Sequence, residues 1–152
     1  MQKPSISIIV STYNQPDFLR LVLCALVNQT DRNFELLIAD DGSNEETTTL
    51  LDKFEQKQQI SVKHIWHEDN GFQKSQILNK AALASTNDYL VFLDGDCIPR
   101  TKHIKDHRAL AKKSRIVGCS RILLDETLMA HTRNNQLEAH RWSLWKVLGF
   151  RI

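Results

Sequence analysis

The stretch Tyr89-Leu-Val-Phe-Leu-Asp-Gly-Asp96 joins a short apolar run to two carboxylates that flank a glycine. An apolar run without polar alternation is typical of a strand covered on both faces, so it predicts a central strand of a parallel sheet. Two carboxylates around a small residue suit a hard divalent cation held against a diphosphate. Asp-Gly-Asp is also favourable turn chemistry, and this alternative stays open.

Three further apolar runs precede this stretch, and segments with helical spacing separate them. The runs cover residues 6–10, 34–39 and 60–66. Strands that alternate with helices predict an α/β fold with a mainly parallel sheet and helices on both faces. Pro16 suits a first helical turn, and Ser43 with Glu46 has capping-box spacing. Lys63 and His64 make the third run an expected edge strand.

The composition excludes some classes of protein and leaves most open. The 152 residues contain 20 Lys and Arg against 18 Asp and Glu, a balance too small to indicate a nucleic-acid partner. Cys24, Cys97 and Cys119 are odd in number and lack metal-type spacing, so we expect free thiols and no zinc site. With no leader-like or membrane-spanning run, the expected location is the cytoplasm.

Polar residues follow every predicted strand, where the carboxyl ends of parallel strands form one ligand-binding edge. Asp41 follows the second strand and is expected to accept hydrogen bonds from a base or ribose, unless it only caps the next helix. Tyr13 follows the first strand and can lie against a base, or be an amphipathic rim residue. Glycine-rich phosphate motifs are absent from the sequence, so phosphate binding would depend on a metal and side chains.

Four motifs occur in an order that resembles glycosyltransferase family 2, whose nucleotide-binding half has the GT-A fold. They are Ser-Ile-Ile-Val-Ser-Thr-Tyr-Asn at 7–14, Glu-Leu-Leu-Ile-Ala-Asp-Asp-Gly-Ser at 35–43, Glu-Asp-Asn-Gly-Phe at 68–72 and Phe-Leu-Asp-Gly-Asp at 92–96. Several ordered motifs are more specific than any one alone. The form of the third motif, together with the downstream residues Arg121 and Leu123 to Glu126, resembles bacterial enzymes that build lipopolysaccharide, capsule or other surface glycans.

The resemblance implies a donor site for a nucleoside-diphosphate sugar, with UDP-sugar as the expected donor. It implies that Ser11 and Tyr13 border the base and that Asp41 bonds the imide edge of the base. It also implies that Asp94 and Asp96 engage the ribose, the diphosphate and a bound Mg²⁺ or Mn²⁺. The reaction implied is inverting transfer of the sugar to a glycan or lipid-linked acceptor.

The resemblance also divides the chain, with a nucleotide-sugar-binding domain at 1–125 and the start of an incomplete acceptor-side region at 126–152. The general base of such enzymes follows the donor motifs, so we expect a truncated chain in which no catalytic residue is assigned. The closing segment carries Trp142, Trp145 and Phe150 among basic residues. It is expected to pack against further structure, with peripheral membrane association or self-association as alternatives.

Two rival functions remain at this level. A haloacid-dehalogenase-like phosphatase would use Asp94 as nucleophile and Asp96 as acid and base. A non-catalytic nucleotide-binding fragment would lack the base altogether.

His103 and His107 are four residues apart, but without an evident third ligand they predict a solvated basic face. Lys74 is expected to be an ordinary surface lysine.

Overall fold

The computed structural model describes residues 3–58, 61–134 and 139–142. Strands and helices alternate from the N-terminus, as the apolar runs predict. The elements are β1 (Ile6–Thr12), α1 (Pro16–Val27), β2 (Glu35–Asp40), α2 (Glu45–Gln58), β3 (Val62–Trp66), α3 (Lys74–Ala84), β4 (Tyr89–Asp94), α4 (His103–Leu110), α5 (Glu126–Asn134) and a short 3₁₀ helix, Ala139–Arg141. The α/β prediction is therefore confirmed.

The described strands form one parallel sheet in the order β3-β2-β1-β4. The edge position predicted for β3 is confirmed. The central position predicted for β4 is wrong within the described sheet, where β4 pairs with β1 alone and Phe92 is 55% exposed. The apolar run predicts that the side chains of β4 avoid water, but it does not predict how many strands pair with β4.

Helices cover both faces of the sheet, as predicted. Successive side chains of a strand point to opposite faces, so Ile8 packs with α1 and α2 whereas Ile9 packs with α3. Ile104 places α4 on the same face as α1. β1 is buried along its whole length, which anchors the carboxyl edge of the sheet.

The helix starts agree with the sequence in one case and differ in another. Pro16 begins α1, as expected of a residue with a fixed φ and no N–H to satisfy. The capping box predicted from Ser43 and Glu46 is wrong, because the Asn44 side chain accepts the Glu46 N–H at 3.1 Å. The Ser43 hydroxyl instead accepts the backbone N–H of Asn14 at 2.9 Å.

Beyond β4, regular structure is sparser. α5 contacts α1, with Leu128 buried. No helix in the described part of the chain has the length and apolar character needed to cross a bilayer. The predictions made for Trp145 and Phe150 lie outside the described residues.

Candidate functional site

The first part of the site joins the ends of β1 and β4. Ser11 and Asp94 are register partners in these strands, and the Ser11 hydroxyl donates to Asp94 Oδ1 at 3.1 Å. Lys74, the first residue of α3, donates from Nζ to the same oxygen at 2.6 Å. The Lys74 hydrogen bond holds the pKa of Asp94 below its usual value. Lys74, expected to be an ordinary surface lysine, therefore also contacts one of the predicted site residues.

The Asp94-Gly95-Asp96 segment is a tight turn as well as a candidate ligand site. The Cys97 N–H donates to the Asp94 carbonyl at 3.0 Å, which closes the turn. A Cβ on Gly95 would lie 2.5 Å from the carbonyl oxygen of Ser11, so a side chain there would force the turn away from β1. Glycine therefore lets the turn pack directly against the end of β1.

The donor atoms at this turn fit a hard divalent cation. One ligand atom each from Asp94, Asp96 and Cys97 lies within 4.8 Å of the others. Burial and the nearby Asp96 carboxylate raise the pKa of the Cys97 thiol, which keeps the sulfur protonated and a poor ligand. The carboxylate oxygens are the ligands that Mg²⁺ and Mn²⁺ prefer. Asp96 is exposed and Asp94 already binds Lys74, so Asp96 is the more available ligand.

Asp41, a buried residue directly after β2, belongs to a chain of hydrogen bonds that reaches the protein surface. His67 bonds Asp41 Oδ1 through Nε2 at 2.7 Å, and the Gln73 N–H donates to Oδ2 at 3.0 Å. Lys80 Nζ lies 3.2 Å from His67 Nδ1. Because an ammonium can only donate, Nδ1 must accept, and Nε2–H then donates to Asp41. Sequence reasoning missed His67 and Lys80, whose contacts depend on how α3 lies across the sheet.

The neighbouring carboxylate, Asp40, has a different role. It is fully buried, accepts the Ser43 N–H at 2.8 Å and contacts His64 Nε2 at 2.8 Å. These contacts close the loop that follows β2. Both carboxylates after β2 therefore already have partners within the protein.

Tyr13 ties the end of β1 to the loop after β3. Its hydroxyl donates to Asp69 Oδ2 at 2.9 Å, and this bond raises the pKa of the tyrosine. The residue is 49% exposed, which leaves ring surface available to a ligand. Gly42, at φ +93°, lies so near that a Cβ would be 2.6 Å from Asp69 Cα. The loops after the first three strands are thus packed against one another.

The sequence of the chain matches a family model over residues 7–148, and the model describes glycosyl transferase family 2. The match covers most of the chain. The chain belongs to glycosyl transferase family 2. Membership in this family favours a glycosyltransferase over the phosphatase alternative.

Curated relatives include the hyaluronan synthase of Pasteurella multocida. That protein is 36% identical over 99 residues, which are 64% of this chain and 10% of the synthase. The family 2 chain therefore spans about a tenth of the length of this relative.

Solved structures confirm the GT-A type of fold. Residues 1–349 of S. aureus TarS in complex with UDP match with a TM-score of 0.58 and 25% identity, covering 69% of this chain and 31% of that one. A mannosyltransferase from Pyrobaculum calidifontis in complex with GDP-Man and Mn²⁺ matches with a TM-score of 0.56 and 20% identity, covering 65% and 29%. The second likeness is one of fold alone.

Proposed function

We propose that this chain binds a nucleoside-diphosphate sugar at the carboxyl edge of its sheet, and that the protein transfers the sugar with inversion. The observation that carries the proposal is the meeting of Ser11, Lys74 and Asp94 beside the exposed carboxylate of Asp96. Family membership supports it. The UDP named in the TarS complex favours a UDP-sugar as the donor.

Tyr13 and Asp41 recognise the base in this proposal. Half of Tyr13 is exposed, and an aromatic ring offers a flat surface for stacking. Each Asp41 oxygen accepts one hydrogen bond from the protein and keeps a second lone pair. A base with an imide N–H, such as uracil, can donate a hydrogen bond to one of these oxygens.

Ser11, Lys74 and Asp94 bind the ribose and diphosphate. Asp94 is fixed by two hydrogen bonds, so it presents its second oxygen in a defined direction to a ribose hydroxyl. The Lys74 ammonium offers positive charge to a diphosphate at the end of β4. Both groups lie on elements with buried neighbours, which preorganises them for the donor.

A divalent cation, Mg²⁺ or Mn²⁺, would be held by Asp96 and Asp94, whose oxygens fit it. When bound, it would neutralise charge on the departing nucleoside diphosphate. Asp96 contributes an exposed carboxylate, and its Oδ1 accepts a hydrogen bond from the Cys97 thiol at 3.4 Å. The Mn²⁺ named in the mannosyltransferase complex is consistent with this choice of ion.

Inversion requires a general base that removes the proton from the acceptor hydroxyl as its oxygen attacks the anomeric carbon. We assign that role to no residue of this chain. Residues 1–125 form the donor-binding domain in this proposal, and 126–152 begin the acceptor side. The acceptor is a glycan or lipid-linked saccharide of the bacterial envelope, used at the cytoplasmic face of the membrane.

Calorimetric titration of UDP into the purified chain, with and without Mn²⁺, tests the donor site. Asp96→Ala should abolish the Mn²⁺-dependent part of UDP binding, because it removes the most available metal ligand. Asp52→Ala, at an exposed position on α2, is the matched control and should bind as the unmodified chain does. Equal Mn²⁺-dependent affinity in both variants would refute the metal assignment, provided that circular dichroism shows both to be folded.

A further inference from the structure

α4 carries two histidines that turn toward the protein. His107 is 6% exposed and His103 is half-buried, whereas Lys102 and Lys105 are exposed. The solvated basic face predicted for this helix therefore belongs to the lysines and excludes the histidines. The imidazole rings are 4.6 Å apart between centroids, in an edge-to-face arrangement.

A cysteine from outside the helix completes the group. Residues 111–125 form no helix or strand, and within them Cys119 places Sγ 3.3 Å from His107 Nε2. One ligand atom each from His103, His107 and Cys119 lies within 4.8 Å of the others. The absence of metal-type spacing among the cysteines concealed this site, because two of its three members are histidines.

We propose that His103, His107 and Cys119 form a binding site for a borderline-soft divalent transition metal, with Zn²⁺ as the expected ion. Two imidazoles and one thiolate are ligands that Zn²⁺ takes in proteins, with a water in the fourth position. Tetrahedral bonds to nitrogen and sulfur place neighbouring ligand atoms about 3.5 Å apart. The Cys119–His107 distance already matches that spacing, and the exposure of Cys119 leaves room for the water.

The surroundings of the two histidines favour the ligand form of each ring. Among the described residues, His103 Nε2 is a buried atom without a hydrogen-bond partner. Burial, aided by His107, lowers the pKa of His103 to about 4, so this imidazole is neutral at physiological pH. Burial also lowers the pKa of His107. A neutral imidazole keeps the lone pair that a metal needs.

Tyr89 contacts His107 in the way that a residue next to a metal-binding histidine commonly does, through a hydrogen bond that fixes the orientation of the ring. Its hydroxyl lies 3.1 Å from His107 Nδ1, on the side of the ring opposite Cys119. With the proton on Nδ1, the ring donates to the Tyr89 oxygen and directs the Nε2 lone pair toward the metal. On binding, the thiol proton of Cys119 passes to solvent.

This metal site is separate from the proposed donor site. Tyr89 begins β4 and Asp94 ends it, so their backbones lie about 17 Å apart at 3.3 Å per residue. The expected role is structural, because the ion would tie residues 111–125 to α4.

Cobalt titration of the metal-free 152-residue chain, followed by displacement with Zn²⁺, tests the proposal. Co²⁺ should give one equivalent of thiolate-to-cobalt charge-transfer absorption together with visible bands of tetrahedral cobalt. Zn²⁺ should abolish both and raise the melting temperature. Tyr89→Phe should keep the charge-transfer band while weakening Zn²⁺ binding about tenfold, as loss of an outer partner does.

Cysteine variants locate the ligand. Cys119→Ser should lose the charge-transfer band, whereas Cys24→Ser on α1 and Cys97→Ser beside Asp96 should keep it. His103→Gln, checked for folding by circular dichroism, should weaken Zn²⁺ binding by at least about 10–100-fold. If the folded chain gave no charge-transfer band with Co²⁺, Cys119 and His107 would form only a thiol–imidazole hydrogen bond, and the proposal would be overturned. Persistence of the band in Cys119→Ser would overturn it equally.

Discussion

Replacing Lys74 with Met separates the role of this lysine in stability from its proposed role in binding the donor. Lys74 and Asp94 are 37% and 44% exposed, so water screens their ion pair. Such a pair contributes at most about 1 kcal/mol to stability. A charged hydrogen bond to a diphosphate contributes roughly 1.5–3 kcal/mol, and each 1.4 kcal/mol is tenfold in affinity. Lys74→Met should therefore weaken UDP binding about 10–100-fold while leaving stability almost unchanged.

Calorimetry with saturating Mn²⁺ measures the affinity for UDP, and urea denaturation measures the stability. Lys53→Met, at an exposed position on α2, is the matched control and should change neither. Mn²⁺ alone should bind Lys74→Met at least as well as the unmodified chain, because Asp94 loses the ammonium that competes for its Oδ1. An affinity for UDP within about twofold of the control would refute the proposed contact, since a lost charged bond costs more than that.

Two stability predictions follow from contacts around the sheet. Burial would raise the pKa of Glu35, but hydrogen bonds, chiefly from Lys63, outweigh it and lower the pKa to about 2. Ionised Glu35 therefore stabilises the folded protein fully above the unfolded pKa near 4.5, and this stabilisation is lost as the pH falls toward 2. In urea denaturation, Glu35→Gln should lower the free energy of unfolding by roughly 1–3 kcal/mol at pH 7 and by little at pH 2. An equal loss at the two pH values would contradict this prediction. Gly42→Ala should lower the free energy of unfolding by at least about 1–2 kcal/mol, because Gly42 has a positive φ and its added Cβ would collide with Asp69. Gly118 has open space around it, so Gly118→Ala is the control and should lower the free energy of unfolding by under about 0.5 kcal/mol in the same assay.

The sequence predicts the parts of this fold that depend on local patterns. Alternating apolar runs and helical segments predict the parallel sheet, and Pro16 predicts where α1 begins. The same patterns bring Ser11 and Asp94 to one edge, because parallel strands end on the same side. These features need only the period of each element and the handedness of the connections between them.

Contacts between distant elements could not be predicted in this way. Lys74 reaches Asp94 across 20 residues, and Lys80 reaches His67 only because α3 crosses the sheet at a particular position. The spacing of the two histidines on α4 was visible in the sequence. The third member, Cys119, comes from a segment without periodicity, so no pattern connects it to them.

Hydrogen bonds between the loops after β1 and β2 hold the carboxyl edge of the sheet in place. The Asn14 N–H donates to the Ser43 hydroxyl at 2.9 Å, and Asn14 Oδ1 accepts the Asn44 N–H at 2.9 Å. Asn14 adopts φ 48°, a conformation that asparagine tolerates better than most residues. A donor would therefore meet loops that are already ordered, and less of its binding energy would be spent on ordering them. Lys74 completes this arrangement, because its ammonium offsets the charge of Asp94, and in the proposed function it would do so until a diphosphate and a cation bind.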